Sequence, residues 1–358
     1  MEKTLLSIVI PCYNAQEYIQ LCIDNLENQT FSEWEAIFVN DGSTDGTGGQ
    51  LDRLLSGKDK YKVIHKENGG TASARNKGIE AASGRYITFL DADDELASDM
   101  YEKMVSLMED TGIDLGVCGF YFKVEQIKKG KVQTTYLEEK KYPSVHYRTP
   151  EQIREHLVDM WDSDILSNVW NKMYKLSLIR EKDLYYRNGH VYTEDRVFNR
   201  QFIENCGSLA VTEQCLYYYV RERTGSTTEK YRDDYFLIRY KEYHEFQDHF
   251  KKLGIWDDKA REYTCREFTE RISGCLENIF HAEKQLSAKE KYMRIGDIIR
   301  HEDVREAVSY ARCRSRKMRL LVFPIKMRNT LLAYLMYGMV YHIRRSDPAL
   351  FHKLKSRR

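Results

Sequence analysis

Four carboxylates fall within five residues at Asp91-Ala92-Asp93-Asp94-Glu95, directly after the apolar run Tyr86-Ile87-Thr88-Phe89-Leu90. Like charges this close repel and raise one another's pKa unless a cation sits among them. In an extended segment Asp91 and Asp93 point to the same side, so both can serve one ligand assembly. Oxygen-only donors favour a hard divalent ion, Mg²⁺ or Mn²⁺, held by one or two carboxylates together with substrate phosphates, which implies a diphosphate. The plainer alternative is an acidic start to a helix near Ser98, favoured by the helix dipole. It leaves unexplained why the acids close an apolar strand.

Two further polar runs follow apolar ones. Asn40-Asp41-Gly42-Ser43-Thr44-Asp45-Gly46-Thr47 succeeds the stretch from Ala36 to Val39, and on its own reads as an Asp-Gly turn with a helix cap at Ser43, Thr44 or Asp45. In Glu67-Asn68-Gly69-Gly70-Thr71-Ala72-Ser73-Ala74-Arg75-Asn76-Lys77-Gly78, a Gly-Gly turn opens a helix of small residues. Arg75, one turn in, can fork onto a carbonyl or a phosphate. Neither G-x-x-x-x-G-K-[ST] nor G-x-G-x-x-G occurs in the right context, which disfavours P-loop nucleotide hydrolysis and dinucleotide binding.

Apolar strand-like runs alternate with amphipathic stretches through the first 120 residues, the pattern of βα units on a mostly parallel α/β sheet. Strands are expected at 5–11, 34–40, 61–65, 85–90 and 114–121, and helices at 15–27, 45–55, 71–82 and 98–109. Each polar run then lies past the carboxyl end of a strand, where open α/β sheets bind ligands. Residues 123–150, with Lys128-Lys129-Gly130-Lys131 and Lys140-Lys141, read as an exposed hairpin or insertion. Mixed helix and strand return from Pro150 to Tyr219, and the chain is nearly all helical from Asp233 to about Arg312.

Together with Ser7-Ile8-Val9-Ile10-Pro11-Cys12-Tyr13-Asn14, the three polar runs resemble the ordered signature of family 2 glycosyltransferases. The resemblance is close over about residues 5–120 and looser to about 225. It implies a GT-A (Rossmann-like) fold with a helical C-terminal extension, a nucleotide-sugar donor, a divalent metal and an inverting mechanism. Pro11 and Tyr13 would line the base pocket, Asp41 would accept from uracil, and Asn68 and Arg75 would complete it. Asp91 would contact the ribose, and Asp93 the metal, Mn²⁺ or Mg²⁺, bridging the phosphates. Thr193-Glu194-Asp195 is similar to the family's downstream Glu-Asp pair, although many relatives have Gly where this chain has Thr193. The plain reading of the pair is a helix start capped by Thr193. Trp170-Asn171-Lys172-Met173-Tyr174-Lys175 resembles a run common in bacterial polysaccharide-assembly members.

On this likeness residues 1–122 form the nucleotide-sugar half, 123–232 the acceptor and base half, 233–311 a helical extension and 312–358 a basic amphipathic tail. Inversion needs one carboxylate base to deprotonate the acceptor hydroxyl as it attacks. Asp195 is the candidate, with Glu194 as its orienting neighbour. Tyr217-Tyr218-Tyr219 leads into a polar segment with Arg221, Arg223, Ser226 and Thr227, either a loop closing over the diphosphate or a solvated turn. The Q-x-x-R-W run of processive synthases is missing, which favours a single addition to a saccharide or lipid-linked saccharide. A nucleotide-sugar-binding scaffold without turnover is the alternative. A nucleotidyltransferase would need a Gly-rich basic loop where Pro11-Cys12-Tyr13-Asn14 stands.

A length of 358 residues suits about two domains, and 42% hydrophobic with 31% charged residues is globular composition. The formal charge of +1 conceals an asymmetry: residues 312–358 carry 13 Lys or Arg against Asp347 alone, so the tail is +12 and the remainder −11. The apolar run from Leu331 to Tyr341, flanked by Arg328 and Arg344-Arg345, is too short to span a bilayer. Such a tail fits an anionic membrane surface, or packing and homo-oligomerisation, and fits nucleic acid least, since its bases interleave with an apolar run. Eight Cys without C-x-x-C spacing read as buried free thiols. A reducing cytosol, at the inner face of the cell membrane, is the expected location.

Overall fold

The computed structural model describes residues 4–128, 131–187, 193–222, 231–282 and 285–346. The elements are β1 (Leu6–Cys12), α1 (Ile19–Glu27), β2 (Trp34–Asp41), α2 (Thr47–Leu55), β3 (Tyr61–Lys66), α3 (Gly70–Ala81), β4 (Tyr86–Phe89), β5 (Glu95–Leu96), α4 (Met100–Thr111), β6 (Leu115–Lys128), β7 (Lys131–Lys140), β8 (Val145–Tyr147), α5 (Pro150–Asp162), β9 (Lys172–Lys175), α6 (Leu176–Glu181), α7 (Glu194–Asn205) and β10 (Leu209–Glu222). Helices α8 (Tyr235–Lys252), α9 (Asp258–His281), α10 (Ala288–Arg300), α11 (Glu302–Tyr310), α12 (Arg316–Lys326) and α13 (Thr330–Ser346) follow. The chain divides into two compact units, 1–224 and 225–358.

In the first unit the strands form one mixed sheet in the order β3-β2-β1-β4-β9-β6-β10-β5, with β7 on β6 and β8 on β10. β1 pairs in parallel with β2 and β4, and β2 with β3. β9 joins β4 and β6 antiparallel to both, which ends the parallel run. The central strands are apolar because both faces are covered: every residue of β2 is buried, as is every residue of β1 except Pro11. The strand order reverses between β1 and β4, the crevice at which doubly wound sheets bind ligands.

The expected elements of the first 120 residues all form, with later helix starts at α1 and α2. The residues expected in those first turns are used in hydrogen bonds between loops instead. Asn14 N–H donates to Ser43 Oγ at 3.0 Å, Ala15 N–H to Thr47 Oγ1 at 2.9 Å, and Gly46 N–H to Gln16 Oε1 at 2.9 Å. No side chain caps α2 at Gly46; Asp45 Oδ1 accepts from Thr47 N–H at 3.0 Å. The Lys-rich stretch continues β6 to Lys128 and returns as β7, an antiparallel hairpin whose residues 129 and 130 lie outside the described ones. All eight cysteines are free thiols, six of them buried.

The second unit is helical, with a core drawn from α8 to α13: Phe268, Ile272, Leu276 and Ile279 of α9 meet Ile295, Ile299, Val304 and Val308. The tail helices share it through Val322, Ile325, Ala333, Tyr337 and Tyr341. Ser287 and Glu290 close a reciprocal cap at the start of α10.

Helix α3 lies on β1 and β2 because Gly78 has no side chain: a Cβ there would sit 2.2 Å from Val9 Cγ1. Gly78→Ala should therefore lower stability by about 1–3 kcal/mol through overpacking. Gly49→Ala, on α2 with open space around the new methyl, should be neutral or stabilising by up to about 1 kcal/mol. Urea midpoints for the two variants check the contrast; equal midpoints would refute the close-packing account.

Candidate functional site

Pro11, Asp41, Asn68 and Asp91 all stand at or just past the carboxyl ends of β1 to β4. The first pocket is built on Asp41, the last residue of β2 and 2% exposed. Its Oδ1 accepts from Gly69 N–H at 3.0 Å and its Oδ2 from Gly70 N–H at 2.7 Å, while Lys66 Nζ pairs with Oδ1 at 2.5 Å. Asn68 Nδ2 donates to the Asp41 carbonyl at 2.9 Å. Gly42 is required at the turn, since its φ is +67° and a Cβ would come within 2.6 Å of Asn68 N. Asp41 and Asn68 are thus brought together. Tyr13, beyond β1, is half exposed, and Pro11 is partly buried.

Arg75 belongs to a second cluster. It is 3% exposed on α3, with Nη2 on Asp91 Oδ1 at 3.0 Å and Nη1 on Asp195 Oδ1. The guanidinium also lies over the rings of Tyr186 and Phe89, at 5.4 and 6.0 Å. Three consecutive residues of α3 contribute differently here. Ala74 is buried without bulk, Arg75 bridges the acids, and Asn76 clamps the backbone of Tyr186 with two 2.8 Å hydrogen bonds. Tyr186 then stacks on Phe198 of α7, ring centroids 4.4 Å apart.

Glu194 and Asp195 are the first two residues of α7, where the helix dipole favours negative charge. Thr193 occupies the cap position, but its side chain makes no capping bond. The helix is held from below by Asn199, one turn after Asp195. Asn199 Oδ1 accepts from Tyr174 O–H at 2.6 Å, and its Nδ2 donates to the carbonyls of Leu166 and Asn168 at 2.7 and 2.9 Å. Lys172, wholly buried, donates to the same loop at Ile165 O, 2.8 Å, and burial pushes its amine down to about 7. The Trp170 to Lys175 run therefore supports α7, and Trp170 stacks on Tyr217 at 4.2 Å.

Burial pushes the Asp195 carboxyl up to about 7; Arg75 opposes that rise, Glu194 and Asp91 add to it, and Lys172 opposes it weakly. A carboxylate balanced near neutrality can accept a proton from a hydroxyl in reaction and release it to water.

The acids after β4 have separate surroundings. Asp91 is ion-paired to Arg75 and Asp93 is exposed. Asp94 is buried, its Oδ2 accepting from Tyr217 O–H at 2.6 Å and its Oδ1 from Val220 N–H at 2.8 Å. Sequence reasoning assigned nothing to Asp94, Lys66 or Asn199; residues 92 and 93 form a turn in which Asp94 N–H donates to the Asp91 carbonyl at 3.2 Å, so the extended alternation expected for Asp91 and Asp93 does not hold, and the partners of Asp94 on β10 have no local signal. Among the described residues no group of three His, Cys, Asp or Glu could hold a metal by itself. Of the sequence-derived candidates around Tyr217, residues 223–230 lie outside the described ones.

The model of the family described as Glycosyl transferase family 2 matches residues 7–167. The Bacillus subtilis (strain 168) protein named uncharacterized glycosyltransferase EpsJ is 30% identical over 341 residues, covering 93% of this chain and 95% of that protein. Among solved structures, Staphylococcus aureus TarS residues 1–349 in complex with UDP superposes with a TM-score of 0.60 at 20% identity, over 94% of this chain and 91% of that one. The same fragment in complex with UDP-GlcNAc gives 0.60 at 19%, with the same coverage.

The contrast among the acids is testable without any ligand. Asp94→Ala strands the Tyr217 hydroxyl and the Val220 N–H in a buried place and should cost about 1–3 kcal/mol. Asp93→Ala, at an exposed position, should stay within about 0.5 kcal/mol of the parent. Thermal or urea unfolding of both variants decides it; the reverse order of losses would contradict the assigned surroundings.

Proposed function

The chain belongs to glycosyl transferase family 2 and is a glycosyltransferase with a GT-A type α/β fold, and from that premise we propose that it transfers a sugar from a UDP-sugar, with inversion, to a hydroxyl of a lipid-linked or surface-polysaccharide acceptor. The observation that carries this reading is the gathering of the Asp41 turn, Asp91 and Asp195 at the carboxyl ends of the parallel strands of the mixed sheet, with Arg75 joining the last two. TarS is seen with UDP and with UDP-GlcNAc, which supports a uridine nucleotide here.

On this reading Pro11 and Tyr13 line the uracil pocket, Asp41 accepts from the uracil N–H and Asn68 completes that pocket. Asp91 contacts the ribose, and Arg75 links it to Asp195 rather than reaching the uracil. Asp195 takes the proton of the acceptor hydroxyl as its oxygen attacks the anomeric carbon. The bond to the diphosphate breaks on the opposite side, and the diphosphate departs with the electron pair. Glu194 raises the basicity of Asp195 through its charge.

A metal fits the donor set in one way: Asp93 offers one exposed carboxylate, so an ion there would complete its oxygen shell from donor phosphates and water, as Mg²⁺ and Mn²⁺ do. When bound, it would supply positive charge against the leaving diphosphate.

Screening nucleotide sugars for UDP release tests the reading. Release should require Mn²⁺ or Mg²⁺, disappear with chelator and fall sharply in Asp93→Ala; equal release without metal would remove Asp93 from the metal role. Asp195→Asn should bind donor within about twofold of the parent and lose about 10²–10⁴-fold in turnover. Near-normal turnover by that variant would exclude Asp195 as base, and donor binding with no turnover in the parent would favour a binding scaffold.

The pH profile gives an independent check. A base must be deprotonated, so activity should rise with pH through about 7. Arg75→Gln removes the charge that lowers the Asp195 pKa, and the acid limb should move to higher pH. An unmoved or lowered limb would contradict the pairing.

A further inference from the structure

Helices α12 and α13 have two unlike faces. One is docked: Val322, Ile325, Ala333, Tyr337 and Tyr341 are buried in the helical core, and the Tyr337 hydroxyl lies 2.9 Å from Ser273 Oγ and 3.0 Å from the Leu321 carbonyl. The other carries Leu320, Phe323 and Met327 at three- to four-residue spacing and Leu331, Leu335 and Met339 at four-residue spacing. These six side chains are each 50–65% exposed. Because the buried sides of both helices meet one core, both stripes face away from it. Scattered exposed apolar residues are ordinary, but two consecutive stripes on adjoining helices mark an interaction surface.

The charge around the stripes identifies the occupant. Seven Lys or Arg lie between 312 and 328, and no Asp or Glu occurs from 312 to 346. We infer that this face binds the surface of an anionic phospholipid bilayer, the apolar stripes entering the boundary between headgroups and acyl chains while the basic residues meet lipid phosphates. A second copy of the same face would set two basic helix pairs against each other, neither pair carrying an acid of its own, which is repulsive. Nucleic acid has no use for two rows of aliphatic and thioether side chains. Among the described residues no helix is long and apolar enough to cross a membrane, so these helices would lie on the bilayer. The inference goes beyond the donor-site reading and stands or falls separately from it.

Co-sedimentation of the full chain with phosphatidylcholine vesicles, with and without phosphatidylglycerol, tests it. The parent should bind the anionic vesicles and lose binding as salt rises. Phe323→Glu with Leu335→Glu should weaken partitioning about tenfold or more, as should Arg316→Glu with Arg319→Glu. All four positions are exposed, so unfolding midpoints and UDP release in solution should remain near those of the parent. Equal binding to neutral vesicles, or undiminished binding by both double variants, overturns the proposal. So does a halving of mass by light scattering in the Phe323 and Leu335 variant with vesicle binding unchanged, which would make the face an interface between copies.

Discussion

The Arg75 guanidinium, almost fully buried, joins Asp91 at the end of β4 to Asp195 at the start of α7, residues more than a hundred positions apart in the chain. The buried guanidinium is costly without counter-charge, and the two partly exposed carboxylates repel each other without it. Only with both carboxylates in place is the buried guanidinium fully paired, so the three elements are held to one arrangement. The planar fork of arginine reaches two acids at once, which a lysine ammonium cannot do with the same geometry. Much of the surrounding packing serves that bridge. Ala74 and Gly78 keep α3 close to the sheet, the Phe89 and Tyr186 rings back the guanidinium, and Asn76 fixes the Tyr186 backbone.

The same burial sets the chemistry. An acid in water is a weak base at neutral pH, whereas desolvation raises the Asp195 pKa and Arg75 limits the rise, leaving the group balanced near neutrality. The acids after β4 show how strongly environment divides identical residues. Asp91 is ion-paired and Asp93 is turned to solvent. Asp94 is buried, and desolvation, reinforced by the charges of Asp93 and Asp91, pushes its carboxyl pKa up. Tyr217 connects two of the three, because its hydroxyl donates to Asp94 and accepts from Asp91 N–H at 3.4 Å. The four-carboxylate run is therefore not a single metal cage, which would need several acids aimed at one point; it offers one exposed oxygen donor and anchors the loop through the others.

The parallel core and the loops past β1 to β4 were legible in the sequence because period and position are local. A continuous apolar run ending in polar turn residues specifies a buried strand and a loop at its carboxyl end. The later helix starts, at Ile19 and Thr47 rather than Ala15 and Asp45, were not legible, since the hydrogen bonds that displace them run between loops about 30 residues apart. Arg75 was legible as an arginine one turn into a helix but not as the partner of Asp195, which is a tertiary fact. Asn199 carried no signal at all: an Asn within a helix is ordinary until the carbonyls of Leu166 and Asn168 come within reach.

The tail shows a different limit. Leu331 to Tyr341 reads as a helix lying on lipid or as one packed on protein, because hydropathy counts apolar residues without saying how many faces they occupy. Burial separates the two uses, since Ala333, Tyr337 and Tyr341 are spent on the core while Leu331, Leu335 and Met339 are not. Packing alone would ask only that the inner face be uncharged and would leave the outer face free to carry either sign, as exposed helix faces commonly do. Acids are nonetheless missing from all of 312–346, in a chain whose remaining residues carry a net negative charge. The absence of acids from both sides of two helices, with leucine and methionine left in solvent, is what the inferred lipid surface calls for and what packing alone does not explain.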